Sequence, residues 1–222
     1  MNNKINLKRW PRGRTEAVLK FIDANKKDRI LEIGCGSSQV LEYLSKKSNN
    51  VYGVDIDKEI IEEQKKRLKS SVKLKVDNKL EEGLSFEDSY FDIIILSDVI
   101  EHVSNRFEAM KELKRILKPG GQLVIVTPNV CKIRNRIRIL LGKPPITSGP
   151  ILGGYKAFKH DRNYDDGHLQ YFTFDSLEKL GKLFNLKIIK KFGFGSYGKL
   201  QDIFRGLLSG EIGMIFRKKS KK

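Results

Sequence analysis

The feature that most constrains the fold is a regular alternation of short apolar segments with longer amphipathic ones between Arg29 and Thr127. Short apolar runs bounded by turn residues are typical of buried strands, and an apolar spacing of three to four residues is typical of helices. Repeated strand–helix–strand units place parallel strands in one sheet, with right-handed crossovers and helices on both faces. The sequence therefore predicts an α/β fold with a doubly wound, mostly parallel sheet.

The periodicity predicts seven strands, with helices between most of them. Ser104 is predicted to cap the fourth helix, whose Phe107 then faces the sheet, and Asp175 with Glu178 is predicted to form a capping box on a later one. The predicted strands cover residues 29–33, 51–55, 72–76, 91–96, 122–127, 186–192 and 212–216. The predicted helices include residues 15–25, 38–46, 58–68, 104–117 and 200–208.

The chain of 222 residues is long enough for one substantial core, so we expect a single domain over 1–222. Residues 128–167 interrupt the alternation with several prolines and glycines, and we interpret them as an insertion or lid over the active site. The sequence shows no apolar stretch near the roughly 20 residues of a membrane span and no secretory signal. Its two cysteines do not suggest a disulfide framework. We therefore expect a cytoplasmic protein.

Basic residues dominate the charge balance: 44 Lys and Arg against 27 Asp and Glu give a net charge of +17. Such a surplus favours an anionic partner, which leaves an anionic substrate, RNA and a membrane surface open. In the insertion, residues 132–138 alternate basic and aliphatic side chains and continue into Leu140 and Leu141. This segment is either a basic lid, for a substrate or a membrane, or an ordinary helix covering the pocket.

The strongest local motif is a glycine loop directly after the first predicted strand. Gly34 and Gly36 follow that strand, and a helix follows them, so a ligand can approach the backbone amides at the helix start. Asp55 stands about 20 residues further on, at the end of the second strand, where a carboxylate accepts hydrogen bonds from ribose hydroxyls. Together these features predict a nucleoside-containing cofactor.

The glycine pattern separates two cofactor classes. A dinucleotide fingerprint has a third glycine, where this chain has Gln39. Instead Glu32 precedes the loop, which resembles the E-x-G-x-G motif of class I S-adenosylmethionine (SAM)-dependent methyltransferases. The segments 76–78, 91–103 and 113–121 resemble further blocks of that family in the same order. The chain is similar to the group of ubiquinone-biosynthesis O-methyltransferases and related small-molecule methyltransferases.

This resemblance implies a Rossmann-like sheet with an antiparallel last strand, SAM as the cofactor, and a set of contact residues. The glycines and Glu32 would hold the methionine part, Asp55 the ribose, and Asp77 with Asn78 the adenine. Asp77 as a plain turn residue and Glu32 as a backbone-satisfied carboxylate remain alternatives. The implied cofactor-binding residues are Glu32, Gly34, Cys35, Gly36, Asp55, Ile56, Asp77, Asn78, Ser97 and Asp98.

His102 is the candidate catalytic residue, because an imidazole titrates near neutral pH and can accept a proton from a hydroxyl acceptor. Asp98, Glu101 and His102 would share one face if this segment were helical. With His168 they resemble the E-x-x-E-H and distant His arrangement that binds a divalent cation in some O-methyltransferases, although Asp98 replaces a Glu. We expect no metal and keep these four residues as weak candidates.

The sequence thus predicts a SAM-dependent methyltransferase that transfers a methyl group to a small-molecule acceptor, with O-methylation as one option. An RNA-directed methyltransferase or RNA-binding protein is the first alternative, favoured by the net charge of +17. An NAD-dependent oxidoreductase is the second, and Gln39 counts against it.

Overall fold

The structure is a computed structural model, which describes residues 7–37, 39–68, 72–77, 79–147 and 168–220, without the side chain of Asp202. No helix among these residues is long and apolar enough to cross a bilayer. The cytoplasmic location and the single domain over 1–222 stay predictions. Half of the predicted insertion, residues 148–167, lies outside the described part of the chain, as do Ser38, the first residue of the second predicted helix, and the candidate adenine contact Asn78.

The described strands form one seven-stranded sheet in the order β3-β2-β1-β4-β5-β7-β6. Neighbouring strands from β1 to β5 are parallel, and β7 is antiparallel to both β5 and β6. This confirms the predicted Rossmann-like fold with its antiparallel last strand. The strands are β1 (Arg29–Ile33), β2 (Asn50–Asp55), β3 (Lys73–Val76), β4 (Phe91–Ser97), β5 (Leu117–Pro128), β6 (Leu186–Phe194) and β7 (Glu211–Lys218).

Helices cover both faces of the sheet and divide the buried apolar side chains into two cores. Successive residues of β4 show the division, because Ile94 lies in one core while Ile93 and Ile95 lie in the other. Helices α4 and α6 pack into the first core, and α1, α2 and α3 pack into the second. The described helices are α1 (Arg14–Phe21), α2 (Val40–Ser45), α3 (Lys58–Leu68), α4 (Arg106–Ile116), α5 (Ile133–Leu140), α6 (Phe174–Leu183), α7 (Leu200–Ile203) and α8 (Arg205–Leu208).

The predicted start of α4 is wrong by two residues. Asn105, not Ser104, caps the helix, since its Oδ1 accepts from the amides of Phe107 and Glu108 at 3.1 and 3.3 Å. Ser104 instead donates to a carboxylate oxygen of Glu81 at 2.8 Å. Phe107 lies in the first turn of α4 and is exposed, so it does not face the sheet as predicted.

The predicted capping box of α6 is also shifted. Thr173 and Ser176 form it, each accepting from the other's backbone amide. Asp175 and Glu178 lie on the helix itself and pair with lysines one turn away. The local sequence offers two overlapping cap patterns here, and the structure uses the one that starts the helix at Phe174. The predicted helix 200–208 is likewise interrupted at Phe204 into α7 and α8.

One edge of the sheet collects the segments that matter for function. The parallel strands β1, β2 and β4 end there, at Ile33, Asp55 and Ser97, and carboxyl ends of parallel strands are where α/β proteins bind ligands. Because β7 is antiparallel, its first residue Glu211 lies at the same edge, paired with Pro128 at the end of β5. Helices α5, α7 and α8 follow β5 or precede β7, so they also stand at this edge.

Candidate active site

The glycine loop leaves β1 in a conformation that suits glycine. Gly34 and Gly36 have φ angles of +66° and +45°, in the left-handed region that other residues rarely adopt. Between them, the amide of Cys35 donates to the carbonyl of Val54 at 3.1 Å, which ties the loop to β2. Helix α2 then begins at Val40 rather than at the predicted residue 38.

Gly34 is also the point where the loop meets the turn after β4. A Cβ at this position would lie 2.4 Å from Cγ2 of Val99, far inside van der Waals contact, and 3.8 Å from Cβ of the same residue. At Gly36, by contrast, the nearest atom to a Cβ would be the Gly34 carbonyl oxygen, at 4.0 Å. The first glycine therefore permits close packing, and the second leaves open space above the backbone.

Two of the predicted cofactor residues have side chains in the interior. Glu32 is buried in β1. Cys35 is buried as well, and burial, with the nearby Glu32 and Asp55 carboxylates, raises the pKa of its thiol to about 12. Its sulfur lies 3.1 Å from where a Cβ of Gly53 would be, so the side chain packs in the core. Any contact of Cys35 with a ligand in the loop would come from its backbone.

Asp55 holds the loop in place from the end of β2. Its Oδ2 accepts from the amide of Gly36 at 2.7 Å, and its Oδ1 accepts from the amide of Asp57 at 3.0 Å. Each carboxylate oxygen retains acceptor capacity beyond one hydrogen bond. The next side chain, Ile56, is 74% exposed, so an aliphatic surface stands beside the carboxylate at the open edge. A carboxylate beside an aliphatic side chain suits a ribose whose nucleobase packs its ring face on that side chain.

Asp77 follows β3 at the same edge and is built into its turn. Its Oδ1 accepts from the amide of Lys79 at 3.1 Å, and its Oδ2 pairs with Lys75 Nζ at 3.4 Å. The amide of Asp77 donates to the carbonyl of Asp55 at 3.0 Å. Each carboxylate oxygen of Asp77 thus has a partner close in sequence, and a contact of Asp77 with an adenine stays a prediction.

The turn after β4 carries polar atoms that point into the fold's interior. Ser97 Oγ is buried and has no hydrogen-bond partner within the described part of the chain. Asp98 hydrogen-bonds to the Glu101 side chain and has a φ of +54°, which is unusual for a residue with a side chain. The unpartnered serine hydroxyl and the local backbone strain both favour a ligand-binding role at this turn.

A cluster of three carboxylates surrounds this turn, and we call it the acidic cluster: Asp98, Glu101 and Glu211. Arg14 of α1 bridges two of them, with NH1 2.6 Å from Asp98 Oδ2 and Nε 3.0 Å from Glu211 Oε2. Glu101 is almost fully buried, and its Oε2 accepts from Thr127 Oγ1 at 3.0 Å. Arg14 is the cation that the structure places between the carboxylates.

The pKa values of all three carboxyl groups in the acidic cluster are raised. Burial, and then the neighbouring Asp98 carboxylate, raises the pKa of Glu101 to about 8 and that of Glu211 to about 7. Burial also raises the pKa of Asp98, while Arg14 opposes that change. Perturbed carboxyl groups gathered at a ligand-binding edge are typical of functional sites.

His102, the predicted catalytic residue, lies at the outer side of this turn and is exposed. The segment 98–103 is a turn and not a helix, so the predicted shared helical face is wrong. The His102 and His168 rings nevertheless meet, with centroids 4.7 Å apart, and His168 Nδ1 lies 2.6 Å from Thr147 Oγ1. The catalytic role of His102 stays a prediction.

Three of the four weak metal candidates come together. Ligand atoms of Glu101, His102 and His168 lie within 4.8 Å of one another, and Asp98 is not part of this group. Donors bound to one ion at 2.0–2.3 Å sit about 3–4 Å apart, so a metal would require these side chains to close. We derive no chemistry from a metal here.

Sequence reasoning did not single out two members of this site. Arg14 and Glu211 are 197 residues apart, and only the tertiary fold brings them together. Their local sequence carries no motif.

A nucleoside-binding α/β fold is what the sheet order, the glycine loop and Asp55 define. Residues 31–125 match the family model described as a methyltransferase domain. This stretch of the chain is similar to methyltransferase domains, and the similarity indicates SAM as the cofactor.

Two curated relatives of the chain are named as methyltransferases. The chain is 27% identical to a demethylmenaquinone methyltransferase of Staphylococcus saprophyticus, over 83% of this chain and 79% of that protein. It is 33% identical to a ubiquinone biosynthesis O-methyltransferase of Pelagibacter ubique, over 47% of this chain and 43% of that protein. Several other curated relatives are likewise matched over only 35% to 52% of their length.

Solved structures share this fold. A SAM-dependent methyltransferase from Methanosarcina mazei superposes with a TM-score of 0.64 at 24% identity, covering 92% of this chain and 98% of that one.

The residues present fit SAM on structural grounds. The space above Gly36, the Asp55 carboxylate and the exposed Ile56 lie along one edge, as a nucleoside requires. The buried Ser97 Oγ and Asp98 Oδ1 lie at the end of the neighbouring β4, where the methionine part or the acceptor would come close.

Proposed function

We propose that this protein transfers a methyl group from SAM to a small-molecule acceptor. SAM supplies a methyl group already activated on a sulfonium, so the protein's part is to bind, align the acceptor and exclude water. The observation that carries the proposal is the meeting of the glycine loop with the β4 turn at Gly34 and Val99. The glycine loop, which would bind SAM, is therefore in direct contact with the turn after β4, which would face the acceptor.

The acceptor is proposed from the relatives and from the site. Relatives named for ubiquinone and menaquinone synthesis support a small-molecule acceptor, and O-methylation is one form of it. Neither RNA-directed methylation nor NAD-dependent oxidation is favoured by these comparisons. Calorimetric titrations with SAM and with NAD distinguish the two cofactors. Binding of NAD without binding of SAM would contradict the proposed methyltransferase function.

We assign the ribose contact to Asp55, and its removal tests the proposed register of the cofactor. Charge-assisted hydrogen bonds contribute about 1.5–3 kcal/mol each, so Asp55→Ala is expected to weaken SAM binding by about tenfold or more. The variant Asp55→Asn keeps one acceptor oxygen, so its SAM affinity is expected to lie between those of the wild type and Asp55→Ala. Isothermal calorimetry of SAM and of its demethylated product gives both affinities.

The matched control is Asp57→Ala, two residues away. Asp57 Oδ1 accepts from the amides of Glu59 and Ile60 and so caps α3, without a bond to the glycine loop. Its loss is expected to change SAM affinity by less than about threefold, since a lost cap acts on helix stability. Equal losses in the two variants, or none in folded Asp55→Ala, would place the ribose elsewhere.

His102 is the proposed base for a hydroxyl acceptor, because it is exposed at the acceptor side of the β4 turn. A positioned general base typically contributes about 100-fold or more to the rate. The variant His102→Gln is therefore expected to lower kcat by about that factor, while SAM affinity stays within about twofold. The rate of methyl transfer is the measurement, and an unchanged kcat would remove His102 from the reaction.

A further inference from the structure

Helix α5 is oriented with a polar side chain inward. Asn135 is fully buried, while the other residues of the helix are partly or largely exposed. The Asn135 amide holds the helix at both ends, since Nδ2 donates to the carbonyl of Val130 at 3.0 Å and Oδ1 accepts from the amide of Ile146 at 3.1 Å. The packed side of α5 is therefore its asparagine side.

Three exposed aliphatic side chains lie on the opposite side, whereas Ile139, which is 56% exposed, lies on the side of Asn135. At about 100° per residue, Ile137, Leu140 and Leu141 point away from Asn135, and we call these three the outer stripe. Their exposed fractions are 50%, 85% and 67%. A surface helix normally turns its apolar stripe to the core, so a stripe facing outward marks a surface that binds something apolar.

The charge around the outer stripe has one sign. Residues 132–143 contain five basic side chains and no acidic one. Arg134 and Arg136 flank the stripe on its two sides and are exposed. An apolar stripe bordered by arginines suits the boundary between lipid chains and anionic headgroups.

A second exposed apolar group stands beside the base of α5. Asn129, just before the helix, donates from Nδ2 to the carbonyls of Gly206 and Ser209 at 3.3 and 2.9 Å, which joins it to the end of α8. Both segments belong to the carboxyl edge of the sheet. The exposed large apolar residues of α7 and the break before α8 are Leu200, Ile203 and Phe204.

We propose that the outer stripe with its flanking arginines docks α5 on the surface of an anionic lipid bilayer. A second copy of the chain is a poorer occupant, because two such faces would bring basic residues together. RNA is also poorer, because the stripe is aliphatic and offers no aromatic ring for base stacking. Docking at this edge would set the entrance of the active site against the membrane.

Vesicle sedimentation tests the proposal with the full chain. We expect binding to vesicles of phosphatidylcholine with phosphatidylglycerol, little binding to phosphatidylcholine alone, and weaker binding as salt is added. The triple variant Ile137→Ser/Leu140→Ser/Leu141→Ser is expected to bind the anionic vesicles at least about tenfold more weakly. The double variant Arg134→Gln/Arg136→Gln is expected to lose about tenfold as well, through charge.

The control is Leu183→Ser. Leu183 is 67% exposed, like Leu141, but it ends α6 at the opposite edge of the sheet, so vesicle binding should not change. Equal binding by the wild type and the triple variant would overturn the proposal. The proposal would also be overturned if the triple variant were as unstable as a variant in which buried leucines are replaced. The stripe would then pack on its own chain. A dimer that the triple variant dissociates, or RNA binding lost in place of vesicle binding, would overturn it too.

Discussion

Replacing Gly34 by alanine is expected to lower SAM affinity by about a hundredfold. Two costs add at this position. The φ of +66° is unfavourable for a residue with a side chain, and the new Cβ would lie 2.4 Å from Val99 Cγ2. Backbone strain and overpacking typically cost about 1–3 kcal/mol each. The loop can relieve them by moving off the β4 turn, which takes the cofactor site apart.

A second substitution separates the two costs. In Gly34→Ala/Val99→Ala the clashing methyl is gone, and the nearest Val99 atom would be Cβ at 3.8 Å, an ordinary contact. Calorimetry should show SAM affinity recovering about tenfold while the backbone cost remains. Gly142→Ala is the control, since Gly142 has a φ of +68° and nothing within 4 Å of its Cβ position. If the double variant binds no better than the single one, the contact between loop and turn is not what limits binding.

Replacing Arg14 by methionine is expected to lower the free energy of unfolding by about 1–2 kcal/mol at pH 8.5, and by less at pH 5.5. Removing one partner of a buried ion pair costs about 3–5 kcal/mol, and the half-exposed Arg14 side chain reduces that value. The loss arises because Asp98 and Glu211 then remain charged and mostly buried without their cation.

The direction of the pH dependence follows from the raised pKa values. A carboxyl group whose folded pKa is raised favours folding at low pH, and that contribution is lost as pH rises through the folded pKa. With Glu211 near 7 and Glu101 near 8, the wild type should lose stability between about pH 5 and pH 8.5. Without Arg14 the pKa values rise further, so the loss over this range deepens.

Urea unfolding followed by circular dichroism at pH 5.5 and 8.5 measures the effect. Arg9→Met is the matched control: Arg9 is about as exposed as Arg14 and pairs with Glu16 at 2.6 Å, near the start of the same helix but away from the acidic cluster. It should cost little at either pH. Equal destabilisation by Arg14→Met at both pH values would mean that its role is packing and not charge.

Most of the sheet could be predicted from sequence because each strand carries its own pattern. The bounds of β1 (Arg29–Ile33) and α3 (Lys58–Leu68) agree with the prediction at both ends. Helix starts were less predictable, because neighbouring polar residues compete for one cap. At α4, Ser104 and Asn105 both have suitable side chains, and a carboxylate from another segment, Glu81, takes the serine.

The site divides along the same line. The glycine loop and Asp55 could be predicted because they are close in sequence to strand ends, and the structure joins them through the Gly36 amide. The acidic cluster could not, because Glu211 reaches it through the position of β7 in the sheet and Arg14 reaches it from helix α1. The pKa values at this site depend on burial, which no local pattern states.

The place of β7 has a consequence for the order in which the protein assembles. Strand β6 pairs with β7 along its length, and β7 alone joins it to the rest of the sheet. A ribosome releases β6 before β7, so β6 has no partner strand until some twenty residues later have emerged. Strands β2 to β5, by contrast, each pair with a strand that has already emerged. Synthesis from the amino terminus thus completes the strands that carry the glycine loop and Asp55 first, and it adds β7 with Glu211 later.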